Sequence, residues 1–166
     1  MKKLGRRSRG GQPRTTVGRW LLALLLKDDQ ERIRLASQLN GGKKGWNKDE
    51  AAVMQAACDV AVQHYFGSEY DIRQITEEVA FLRRADLDSD KTPHGQLEME
   101  AVIRHALGET AVDVSGINAQ AAFEIQGAII YLISLRLGWK EPQVVQLITE
   151  AEPIAFERGW NPPLAV

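Results

Sequence analysis

The chain has 166 residues, 44% of them hydrophobic and 26% charged, with a net charge of −1. That length and balance fit one domain with a shared core, and no segment approaches the roughly 20 consecutive apolar residues that a membrane span needs. Cys58 is the single cysteine, which excludes an internal disulfide and suits a reducing compartment.

The small net charge hides a strong polarity. Lys2, Lys3, Arg6, Arg7, Arg9, Arg14 and Arg19 precede any acidic residue, so the first 19 residues carry +7 and the remainder −8. Residues 1–14 are Gly, Arg, Lys and Ser with almost nothing to bury, which predicts a basic arm that stays disordered without a partner. The apolar run that follows (Trp20, Leu21, Leu22, Ala23, Leu24, Leu25, Leu26) imitates a secretory signal. It is short, however, ends in Lys27-Asp28-Asp29, and lacks a small-residue cleavage site, so an uncleaved, cytoplasmic protein is expected.

From Thr15 or Thr16, either a suitable cap, a helix is expected to run to Leu39, where Asn40-Gly41-Gly42 stops it. Its leucines are apolar on every face, which predicts burial on all sides or a homodimer through residues 20–26. Asn47, with Glu50 in the capping-box position, opens the next helix and Gly67 ends it. Gln55, Asp59 and Gln63 recur every fourth residue along it, a polar stripe expected to face solvent or a partner helix. That makes this helix peripheral. Asp71 can cap a third helix to about Ala85, and residues 86–91 form a polar joint.

In the second half, Asn118 and Gly138 bracket a helix whose stretch from Ile125 to Leu137 is apolar nearly all round, as suits a central core helix. Pro142 suits the first turn of the last helix, whereas Pro153 is expected to kink or break it. Trp160-Asn161-Pro162-Pro163 leads an extended tail. No stretch alternates with period two, so the fold class is all-α with about six helices.

The halves resemble each other. Reading Gly45 onward against Gly116 onward, about 70 residues apart, matches Asn47 with Asn118, Ala51 with Ala122, Gln55 with Gln126 and Ala57 with Ala128. Farther on, Ile75-Thr76-Glu77 recurs as Ile148-Thr149-Glu150, and Ala80-Phe81-x-Arg83 as Ala155-Phe156-x-Arg158. The expectation is an internally duplicated three-helix unit: copy one at 15–85, copy two at 92–160 and a tail at 161–166, all in one domain. If a pseudo-twofold axis relates the copies, contacts are exchanged. Glu77 would then pair with Arg158, and Glu150 with Arg83. The competing reading leaves each charge in its own helix's surface pattern.

Recognisable chemistry is sparse. Glu98 and His105 share a helix face near His94, yet no His-Glu-x-x-His, Cys-x-x-Cys or Glu-x-x-His spacing supports a metal site. Gly41-Gly42-Lys43-Lys44-Gly45 lacks the spacing of a phosphate loop. No catalytic residue, metal or cofactor is expected. Tryptophans 20, 46, 139 and 160 lie at helix ends or in apolar runs, where packing explains them better than base stacking.

Two partner classes follow from the charge. In the first, residues 1–19 bind nucleic acid through phosphate neutralisation, and the acidic helical body mediates protein association. In the second, the chain is a protein–protein adaptor whose arm docks on an acidic protein. An interfacial membrane segment ranks behind both, because a native core can claim the leucines.

Overall fold

The computed structural model describes residues 11–88 and 94–166. They form seven α-helices: α1 Thr16–Leu25, α2 Asp29–Ala36, α3 Lys48–Phe66, α4 Ile72–Asp88, α5 Gln96–Ala106, α6 Ala119–Arg136 and α7 Glu141–Glu157, with a short 3-10 turn at Leu39–Gly42. Among the described residues there is no strand, only an isolated antiparallel bridge between Thr15 and Leu164. The class is all-α, as expected. The arm residues Lys2, Lys3, Arg6, Arg7 and Arg9, and residues 89–91 of the expected joint, lie outside the described residues, whereas 86–88 continue α4 instead of forming a joint.

Several helix ends stand where the sequence signals put them. Thr15 caps α1 by accepting from the Gly18 N–H. Asn47 accepts from the Glu50 N–H, and the Glu50 carboxylate accepts in return from the Asn47 N–H at 3.1 Å, a complete capping box. Gly67, at φ 69°, stops α3, a left-handed conformation that costs glycine nothing. Asn118 caps α6, and Pro142 sits in the first turn of α7.

The single helix expected over 15–39 is two. Lys27 takes a left-handed φ of 58°, and Asp28 caps α2 by accepting from the Glu31 N–H at 3.1 Å. That split accounts for seven helices where about six were expected. Pro153 does not break α7, which runs on to Glu157. The proline is exposed, so its ring projects away from the packed face of the helix.

The central helix is α3, not α6. It packs against α1, α5, α6 and α7. Its alanines 52, 56, 57 and 61 are buried along with Val53, Met54, Val62 and Phe66. Small side chains on several faces let neighbouring helix axes approach from several directions. By contrast Leu135 and Leu137, at the end of α6, are 55% and 41% exposed.

The leucine-rich α1 packs into the core of its own chain, with Leu26 just beyond it exposed. Val17, Trp20, Leu21 and Ala23 are buried, and Leu22, Leu24 and Leu25 pack on the core. Trp20 meets Trp46 edge-on at 4.8 Å, and Trp46 stacks on Phe123 at 3.8 Å, so aromatic rings from three segments lock this corner.

One core draws on both halves of the chain, but their contacts differ. α7 lies along α3 and α1, whereas α4 packs chiefly on α5. α6 reaches α4 through Arg136, whose guanidinium lies 4.4 Å over the Phe81 ring and pairs with Glu78 at 3.1 Å.

The chain ends are fastened together. The buried Glu152 carboxylate on α7 accepts from the Arg14 N–H at 2.9 Å and the Thr15 N–H at 2.5 Å. Backbone bonds from Thr16 to Pro163 and from Ala165 to Arg14 pair the two segments around the Thr15–Leu164 bridge. Asn161 donates to Asp49 at the start of α3.

Candidate functional site

Packing α5 and α6 against α3, with the 112–117 connection closing one side, leaves a cleft of about 180 Å³. Gln55, Cys58 and Asp59 of α3 line it, together with His105 of α5 and Gln126 of α6. Val102, Ala106, Val114, Ile117 and Ala122 form its apolar walls.

These side chains converge because of helix periodicity. Gln55 and Asp59 are four residues apart and so share a face of α3, and the same holds for Ala122 and Gln126 on α6. The Asp59 carboxylate is held by Arg158, at the C-terminal end of α7, at 2.9 Å, with the Asp59 side chain only 14% exposed. Burial raises its pKa from the ordinary value, and Arg158 and then His105 partly offset this. Burial also pushes the Cys58 thiol far up, with the Asp59 charge adding to the effect. A thiol so held stays protonated and lacks the thiolate needed for nucleophilic attack.

The polar stripe of α3, expected to face solvent or a partner helix, divides between the cleft and the surface. Gln55 and Asp59 point into the cleft, and the Gln63 amide donates to the Ala106 carbonyl at 3.1 Å. The stripe runs beside α5, with Gln55 and Asp59 partly buried and Gln63 exposed to solvent.

Neither exchanged charge pair is formed among the described residues. Arg158 is taken by Asp59, and Arg83 donates to the His94 carbonyl at 2.9 Å. Glu150 accepts from Gln146 on its own helix, and Glu77 is exposed. The charge that α3 offers to Arg158 is Asp59, at a position where the second half carries Ile130, so the contact has no counterpart in the other half.

Of the basic segment, Arg14 is exposed and Arg19 half-buried, its Nε donating to the Pro13 carbonyl at 3.0 Å. His94 pairs with Glu124 at 3.1 Å, and no group of three metal-ligating side chains occurs among the described residues. No described helix is long and apolar enough to cross a membrane.

Sequence reasoning missed Gln126 as a cleft residue, although its match with Gln55 in the sequence comparison of the two halves pointed to it. It also missed Glu152 and the bond from Asn40 to Glu50; both carboxylates are buried and each binds two backbone N–H groups. Glu50 carries a local signal in its capping-box spacing. Glu152 carries none, since its partners lie 137 and 138 residues away. Comparison with family models, with curated proteins and with solved structures found no match to this chain.

Proposed function

We propose that this chain is a non-catalytic helical binding protein whose basic segment, residues 1–19, contacts nucleic acid while the acidic helical body mediates protein association. The observation that carries this reading is the way the segment is rooted. The Arg14 and Thr15 N–H groups are clamped by Glu152, yet neither Arg14 nor Arg19 forms an ion pair among the described residues. Backbone anchoring leaves the guanidinium charge available. Seven cations without an anion attract phosphates by counterion release, a contribution that needs no base-specific contact and weakens steeply with salt.

A duplicated origin of the two halves belongs to the same proposal and is supported by the recurring Asn caps and the near-equal lengths of α3 and α6. The buried single cysteine supports a cytoplasmic setting.

The test replaces Lys2, Lys3, Arg6, Arg7 and Arg9 with Gln, leaving the Glu152 clamp intact, and measures anisotropy of a labelled mixed-sequence single strand. Affinity at low salt is expected to fall at least about tenfold, with a shallower salt dependence. Unchanged affinity and slope in the variant overturn the reading. Absence of nucleic-acid binding by the unaltered chain, together with arm-dependent capture of an acidic protein, establishes the adaptor alternative instead.

A further inference from the structure

The cleft between α3, α5 and α6 sets two partly buried glutamine amides against apolar wall. Gln55 and Gln126 sit at equivalent places in the two halves of the chain and line the same cavity. Gln63 and Gln120 bond to a carbonyl and a carboxylate, but the amides of Gln55 and Gln126 have no hydrogen-bonding partner among the described residues. Each offers a carbonyl acceptor beside an NH₂ donor. Asp59 adds a carboxylate with one oxygen taken by Arg158, and Val102 and Ile117 supply apolar wall.

Size and charge narrow what fits. About 180 Å³ is close to the ~150 Å³ cavity that admits benzene and well short of the roughly 300 Å³ at which drug-sized sites begin. One ring or a fused pair can enter. No Lys or Arg lines the cleft, His105 is its one basic lining residue, and the Asp59 carboxylate beside it opposes a phosphate or carboxylate. Asp59 already has its cation, so a charged amine gains little there. A neutral, flat heterocycle with adjacent donor and acceptor atoms on its edge matches what the amides present, as an adenine edge matches a glutamine amide.

We infer that this cleft binds a single nucleobase-like heterocycle, its edge read by the amides of Gln55 and Gln126. The site is independent of the basic segment, so it stands or falls separately from the nucleic-acid reading.

Titration calorimetry of the full chain with adenine, cytosine and uracil tests it, with indole as a ring of similar size that lacks the amide-complementary edge. At least one base is expected to bind saturably and at least about tenfold more tightly than indole. Gln55→Leu and Gln126→Leu, each checked for unchanged circular dichroism and thermal midpoint, are each expected to lose about tenfold or more in affinity. If either variant misfolds, shifts of the Gln55 and Gln126 side-chain amide resonances in the unaltered chain replace it. Displacement of the bound base by a short single strand assigns the source as an unstacked base in a strand, and its failure assigns a free base. No saturable binding by any of the three, indole binding as tightly, or base binding that moves neither amide resonance overturns the proposal.

Discussion

Asp59 is the residue where burial, charge and fold meet most tightly. It is largely withdrawn from water and lies 2.9 Å from the Arg158 guanidinium. Burial nonetheless leaves its folded pKa above the ordinary 3.8. A carboxyl raised in this way binds more protons in the folded than in the unfolded chain within the window that opens near 3.8 and extends upward. Its contribution to stability is therefore fully present below that window and lost as pH rises through it. Asn in its place keeps an acceptor for Arg158 and removes the titration. Urea midpoints of the unaltered chain and Asp59→Asn, compared from about pH 3.5 to about pH 6.5, should show the unaltered chain losing ground to the variant as pH rises. A gain with rising pH would contradict this account. The spacing of Gln55, Asp59 and Gln63 made their common face legible in the sequence, but nothing local said whether that face met water or α5.

At the level of the helices, the boundary between α1 and α2 is the clearest case of local rules at work. Leu26 closes α1, the Lys27 N–H bonds to Leu24 and the Asp28 N–H to Ala23 at 2.9 Å, which is the six-to-one closure of a Schellman turn. Asp28 then starts α2. Glycine is the usual occupant of the left-handed position in such a turn, and Lys27 holds it here at φ 58°. Lys27→Gly should relieve that conformation and stabilise the fold by about 0.5–1 kcal/mol after allowing for the greater freedom of glycine in the unfolded chain. A scanning calorimetry midpoint raised by roughly 1–4 °C would agree with this; a lowered midpoint would refute it. The signal for the break was present, as Asp28 with Glu31 three residues on has N-cap spacing. The continuous run of leucines before it masked the break, because apolar residues continue a helix as readily as they line its buried face.

Over the whole molecule, the fold closes where α1 crosses α7. An ideal Cβ on Gly18 would lie 2.7 Å from the Thr15 hydroxyl, 2.9 Å from the Glu152 carboxylate and 3.0 Å from Ile148. Only glycine lets the helix approach so near. Gly18→Ala should therefore push α1 off α7, disturb the clamp on Arg14 and Thr15, and cost about 1–3 kcal/mol, read as a lower urea midpoint at unchanged denaturant slope. Undiminished stability in that variant would mean the two helices can part without loss.

Taken by itself, the sequence determined the all-helical class and several helix ends, through Thr15, Asn47, Asn118, Gly67 and Pro142. Capping and termination act between residues at most a few positions apart, so adjacent letters carry them. Only the tertiary structure decided that alanine-rich α3 is central rather than α6, that the leucines of α1 turn inward, and that Arg158 takes Asp59 instead of Glu77. Each of those outcomes depends on which surfaces meet across long stretches of chain. Periodicity defines a face and leaves its neighbour open.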